Sequence, residues 1–113
     1  MDKIKKYQKT ILDYLHEYAE DMYSRDKSGL ETEIVVDKEN HHYQLVRVGW
    51  SDDRFSHYCP LHFDIKDGKI WLQVNNTEEL VAEELVKRGI PPSDIVLGFH
   101  HKEMRPYTGF AVA

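Results

Sequence analysis

Asp67-Gly68 stands between two apolar runs, CPLHFDIK before it and KIWLQVN after it. No other dipeptide in the chain restricts the fold as tightly. A two-residue type I′ turn needs positive φ at both central positions, and Asp-Gly is one of the few pairs that adopt it at low cost. The turn then sets a register. Ile65 opposes Ile70, Asp64 opposes Trp71, Phe63 opposes Leu72, His62 opposes Gln73 and Leu61 opposes Val74. Opposed residues share a face. One face is therefore Leu61, Phe63, Ile65, Ile70, Leu72 and Val74, wholly apolar. The other carries His62, Asp64, Lys66, Lys69, Trp71 and Gln73. Cys59 has the parity of the apolar face, where a buried thiol is inert.

A hairpin of this kind needs partners to cover its apolar face, and the flanking segments supply them. Upstream, Ile4, Tyr7, Ile11, Leu15, Tyr18 and Met22 recur at steps of three and four, which predicts a helix over about Asp2–Tyr23. Leu30–Asp37 alternates Thr32, Ile34 and Val36 against Glu33, Val35 and Asp37 and reads as a strand. His42–Trp50, rich in β-branched and aromatic residues, is a second strand. Downstream, Asn76 or Thr77 caps a second helix with Val81, Ala82, Leu85 and Val86 as its buried stripe. Gly89 and Pro91-Pro92 stop that helix. Ile95–Phe99 is a short extended run. Tyr107–Ala113 is apolar and β-prone, so this tail is expected to dock. These parts predict an α+β fold, an antiparallel meander of about four strands with both helices on one face. The other face is expected to expose Trp71 and Trp50 or Tyr43. It therefore needs a cover, either the tail or a second subunit.

Size and charge limit the function classes. A chain of 113 residues reads as one domain over 1–113. With 41% hydrophobic and 31% charged residues it is too apolar to be disordered. No apolar run reaches membrane-span length, and MDKIKKYQKT has no apolar core of a signal peptide. One cysteine forms no internal disulfide, which fits a cytoplasmic location. The net charge of −5 is the wrong sign for a protein that coats duplex DNA by itself.

Little in the sequence demands catalysis. His62-x-Asp64 places an imidazole and a carboxylate on one strand face, where they can orient a base or offer two metal ligands. With His100 or His101 they would make a three-ligand site. Yet HExxH, paired cysteines, GxGxxG and GxxxxGK[ST] are all missing. The expected reading is a hydrogen-bonded polar pair at an interface, with no metal and no cofactor. His41 and His42 are expected to be solvated at a turn. Arg54 and Arg105 read as solvated charges or as grips for an acidic partner. Trp50 and Trp71 lack the basic groove of a single-strand binder.

Several blocks resemble one known family. They are VGW at Val48–Trp50, Arg54, LHFDIKDGKIWLQ at Leu61–Gln73, and TEE with EELV between Thr77 and Val86. GIPPSDIVLGFH at Gly89–His100 and the ending RPYTGFAVA complete the set. Together they are similar to the XisI-like family, the fdxN element excision controlling factors of cyanobacteria. The likeness extends over nearly the whole chain; Pro60 stands where a branched apolar residue is expected. The resemblance implies a role in controlling programmed excision of a DNA element during heterocyst differentiation. It further implies that a separate recombinase does the strand chemistry and that an XisH-like companion is a partner. The resemblance carries over no catalytic residues. Trp50, Arg54, His62, Asp64, Trp71, His100, Arg105 and Tyr107 are its shared positions here, and they stand as interface candidates. The working expectation is a non-enzymatic homodimer that binds a protein partner; the alternative is a small enzyme or metal protein using His62, Asp64 and His100.

Overall fold

The computed structural model describes residues 2–113. Asp2 caps the first helix, its carboxylate accepting from the Ile4 N–H at 2.9 Å, and α1 runs over Lys3–Tyr23. Tyr7, Ile11, Tyr14, Leu15 and Tyr18 form its buried stripe. Met22, assigned to that stripe from its spacing, is instead 55% exposed. The stripe ends one turn earlier, at Tyr18; beyond it Tyr23 packs against the core, with the Arg47 guanidinium 4.0 Å from its ring.

The strands are β1 (Leu30–Asp37), β2 (His42–Ser51), β3 (Arg54–Lys66), β4 (Lys69–Asn75) and β5 (Ile95–Leu97), paired in that order in one sheet. The first four form the antiparallel meander. The fifth adds to β4 in parallel, with Ile70 opposite Ile95 and Leu72 opposite Leu97. A parallel neighbour requires a crossover connection, and α2 (Val81–Lys87) provides it. The expected four strands therefore become five. The C-terminal tail docks as predicted, with Ala111 bridging Val96 and its N–H donating to the Ile95 carbonyl at 2.8 Å.

The Asp67-Gly68 turn has φ of 53° and 75°, both positive. The predicted pairs Ile65–Ile70, Asp64–Trp71 and Phe63–Leu72 are present. Beyond them the register slips, so that His62 opposes Val74 and Leu61 opposes Asn75, with Gln73 left as the extra residue of a bulge. A bulge re-aims a side chain, and here the Gln73 amide reaches the Asp64 carboxylate at 3.1 Å. A second bulge interrupts the β2–β3 ladder where Cys59 and Pro60 lie against Val46. Pro60 has no N–H to donate, so a break is the position where a strand tolerates it. Cys59 is half-buried rather than buried. Its thiol lies 3.1 Å from the Leu61 carbonyl, and burial pushes its pKa up, away from reactivity.

The second helix begins later than Asn76 or Thr77. Asn75 Oδ1 accepts from the Thr77 N–H, and Thr77 Oγ1 accepts from the Glu79 N–H, both at 3.1 Å. Those side chains close a turn instead of capping a helix. At its other end Gly89 has φ of 99°. Its N–H donates to Val86 and that of Ile90 to Leu85, the paired bonds of a Schellman cap.

Both helices cover one sheet face. Their buried residues form one cluster with Tyr43, Leu45, Leu61, Phe63, Ile65, Ile70, Leu72, Ile95 and Leu97. Tyr14 meets Phe63 edge-on at 6.2 Å. Arg88 ties α2 to α1 by gripping Glu17 at 2.9 and 3.1 Å while lying 5.2 Å from the Tyr14 ring. Arg47, unremarked in the sequence, is buried beneath α1. It pairs with Asp26 and donates to Thr32 Oγ1 at 2.8 Å. No helix among the described residues is long and apolar enough to cross a membrane.

Candidate functional site

The polar sheet face carries one dense constellation. Period-two alternation puts His62 and Asp64 on the same side of β3, and the β2–β3 register sets His42 directly across from Asp64. Asp64 Oδ1 accepts from both imidazoles, His42 Nδ1 at 2.8 Å and His62 Nε2 at 2.8 Å. Its other oxygen accepts from Gln73 Nε2. Asp64 is only 7% exposed. Burial alone would raise its pKa, but hydrogen bonds from His42, His62 and Gln73 outweigh that and hold the carboxyl below its ordinary range. The same hydrogen bond to Asp64 raises the pKa of His42 against the smaller cost of its own desolvation.

His42 is half-exposed, as expected, but it is the first residue of β2 and is held by Asp64. It is the third member of the group that sequence reasoning tried to complete with His100 or His101. Among the described residues, His42, His62 and Asp64 form the one set of three such side chains whose ligand atoms lie within 4.8 Å of one another. His41 likewise is not free, since its Nδ1 lies 3.0 Å from the hydroxyl of buried Tyr43. Tyr43 faces the core rather than the polar side.

The other interface candidates fall into two regions. Trp71 is partly buried, with Lys66 at 4.2 Å and Arg105 from the tail at 5.0 Å from its ring, and its indole nitrogen is buried without a hydrogen-bond partner. Arg105 also donates to the His100 carbonyl at 3.1 Å. Tyr107 and His100 stay exposed, His100 lying against Phe99. Trp50 and Arg54 lie elsewhere, at the tip of the β2–β3 hairpin. Trp50 is eight strand steps from His42, roughly 25 Å at the usual rise. Trp50 is 61% exposed and packs edge-on against exposed Phe55 at 5.3 Å. The eight positions therefore do not make one patch.

A third feature lies between the helices. A groove of about 500 Å³ is lined by Glu17, Asp21, Glu78, Glu79, Glu83 and Glu84 together with Lys87 and Arg88, the last of which is paired with Glu17 and Glu84. Asp21, Glu78, Glu79 and Glu83 are the acids there that Arg88 does not pair, so the groove keeps an acidic balance.

Relatives with solved structures share this architecture. A XisI-like protein from Anabaena variabilis ATCC 29413 is 45% identical with a TM-score of 0.90, over 97% of this chain and 99% of that one. The fdxN element excision controlling factor XisI of the same organism is 30% identical with a TM-score of 0.87, over 99% of this chain and all of its own. No curated relative matches the chain. The family model for XisI protein matches residues 1–112, and with these structures alongside it the chain belongs to the XisI family.

Proposed function

We propose that this chain is a controlling factor for programmed excision of a DNA element, and that it acts without chemistry of its own by binding a protein partner. The observation that carries the reading is the full-length likeness, at 30% identity, to the fdxN element excision controlling factor. Charge supports the mode of action. Twenty acidic side chains against fifteen basic ones oppose the phosphate neutralisation that gives duplex binding its affinity. The acidic groove between α1 and α2 suits a basic nuclease- or recombinase-like protein, such as the XisH-like companion the resemblance implies. The exposed Trp50–Phe55 pair is the kind of aromatic anchor that interfaces use, and it also suits a homodimer contact.

The test is fluorescence anisotropy with labelled duplex at low salt, with and without an XisH-like companion. The expected result is binding only when the companion is present, weakened by charge reversal at Glu79 and Glu83. Tight, steeply salt-dependent binding by the isolated chain would overturn the reading.

A further inference from the structure

We propose that His42, His62 and Asp64 form a binding site for a first-row divalent metal ion of the zinc class, independent of the excision role. The donor set is two imidazole nitrogens and one carboxylate oxygen, which suits borderline metals such as Zn²⁺ rather than Mg²⁺ or Ca²⁺, which prefer all-oxygen shells. Zinc sites with three protein ligands leave a further position open for water or an incoming group.

The geometry is close to what such an ion needs. Metal–ligand bonds of about 2.0–2.2 Å in a tetrahedron separate the ligand atoms by roughly 3.4 Å. Here Asp64 Oδ1 is 2.8 Å from each imidazole nitrogen, and all three atoms lie within 4.8 Å of one another. The three ligand atoms are already clustered, and an outward movement of the rings from Asp64 Oδ1 makes room for an ion. Two paired strands hold them, which gives the set more rigidity than a loop would.

The surroundings fit as well. Gln73 holds Asp64 by Oδ2 and leaves Oδ1 directed at the histidines, the orienting contact that metal-bound carboxylates usually have. Its place there depends on the β4 bulge, which the hairpin register alone does not require. Burial falls from Asp64 through His62 to His42, whose side chain is half-exposed. An ion therefore has a route in from solvent past His42. The competing use of the same atoms is a metal-free hydrogen-bonded triad.

The experiment is isothermal titration of untagged protein with Zn²⁺, paired with Co²⁺ absorption to report the ligand field. One ion per chain is expected, together with a rise in melting temperature that Mg²⁺ does not reproduce. His42→Ala and His62→Ala should abolish saturable uptake; His42→Ala, being half-exposed, should fold. Gln73→Ala should weaken binding about 10–100-fold as a positioning residue. His100→Ala and His101→Ala should leave it unchanged. Failure of the wild-type chain to take up one Zn²⁺ would overturn the proposal and leave the triad as a hydrogen-bonded network. Uptake that survives both His42→Ala and His62→Ala would also overturn it, assigning the ion to other surface histidines. Neither outcome bears on the anisotropy test of partner binding.

Discussion

Phe63→Ala tests the hairpin on which the rest of the fold is built. Phe63 is fully buried, flanked across the ladder by Tyr43 and Leu72, and met edge-on by Tyr14 from α1. Truncation removes the transfer term of the ring and leaves a cavity that three well-packed neighbours cannot collapse into. The cost should be about 3–5 kcal/mol, including an edge-to-face aromatic pair of about 0.5–1.5 kcal/mol. For a chain of this size, at about 4 °C per kcal/mol, the melting temperature should fall by about 12–20 °C. The comparison is Lys66→Ala, three residues along on the opposite face and exposed. That change loses only the contact with the Trp71 ring at 4.2 Å, about 0.5–1 kcal/mol. Thermal melts and urea midpoints at unchanged slope measure both. Equal, mild effects would refute the reasoning, because a one-residue slip of register exchanges the two faces.

Gly98→Ala should disturb the polar face from a distance. A Cβ there runs into the Gln73 amide and lies 3.3 Å from the Trp71 ring, so Gln73 must swing away from Asp64. Shifted His42 and His62 imidazole resonances with modest destabilisation are expected; unchanged spectra would argue against the close approach. At high pH, burial holds Tyr7 and Tyr14 at about 12, against an ordinary value of about 10. Their contribution is fully present below pH 10 and is lost as pH rises toward 12, where the unfolded chain ionises and the folded one resists. Tyrosinate absorbance and circular dichroism should change together in that window; ionisation well before unfolding would contradict the burial. Arg47→Met should be milder than Asp26→Ala, since the latter leaves a buried guanidinium without its carboxylate. Urea midpoints in the reverse order would show the pair to be exposed. Light scattering at micromolar concentration tests the proposed homodimer, with Trp50→Asp expected to lower the mass; a monomeric wild type would remove it.

What could be read from the sequence was local, and what could not depended on distant pairings. Asp67-Gly68 names its own backbone conformation, so the turn and the three pairs beside it followed directly. The bulge at Gln73 did not, because no residue type announces it. It becomes favourable only once the Asp64 carboxylate is in place to receive the Gln73 amide. His42 was hidden for a related reason. Its partner is 22 positions away, and only the strand register makes Asp64 its neighbour. His100 and His101 were as plausible by composition, and the tail carries them elsewhere. Arg47 left a faint signal, a lone charge in the β-branched run of β2, but its burial depends on Asp26 in a loop that reads only as a polar connector. Thr77 had two uses for one hydroxyl, helix cap or turn, and Asn75 decided between them. Thr77 aside, whose partner is two residues away, the unread residue is polar and satisfied by a group on another strand or loop. Apolar faces follow from periodicity, since burial is non-directional. A polar site depends on direction and distance, and those exist only after the strands have paired. The His42–His62–Asp64 constellation is accordingly the part of this molecule that comparison of sequence patterns alone would leave unassigned.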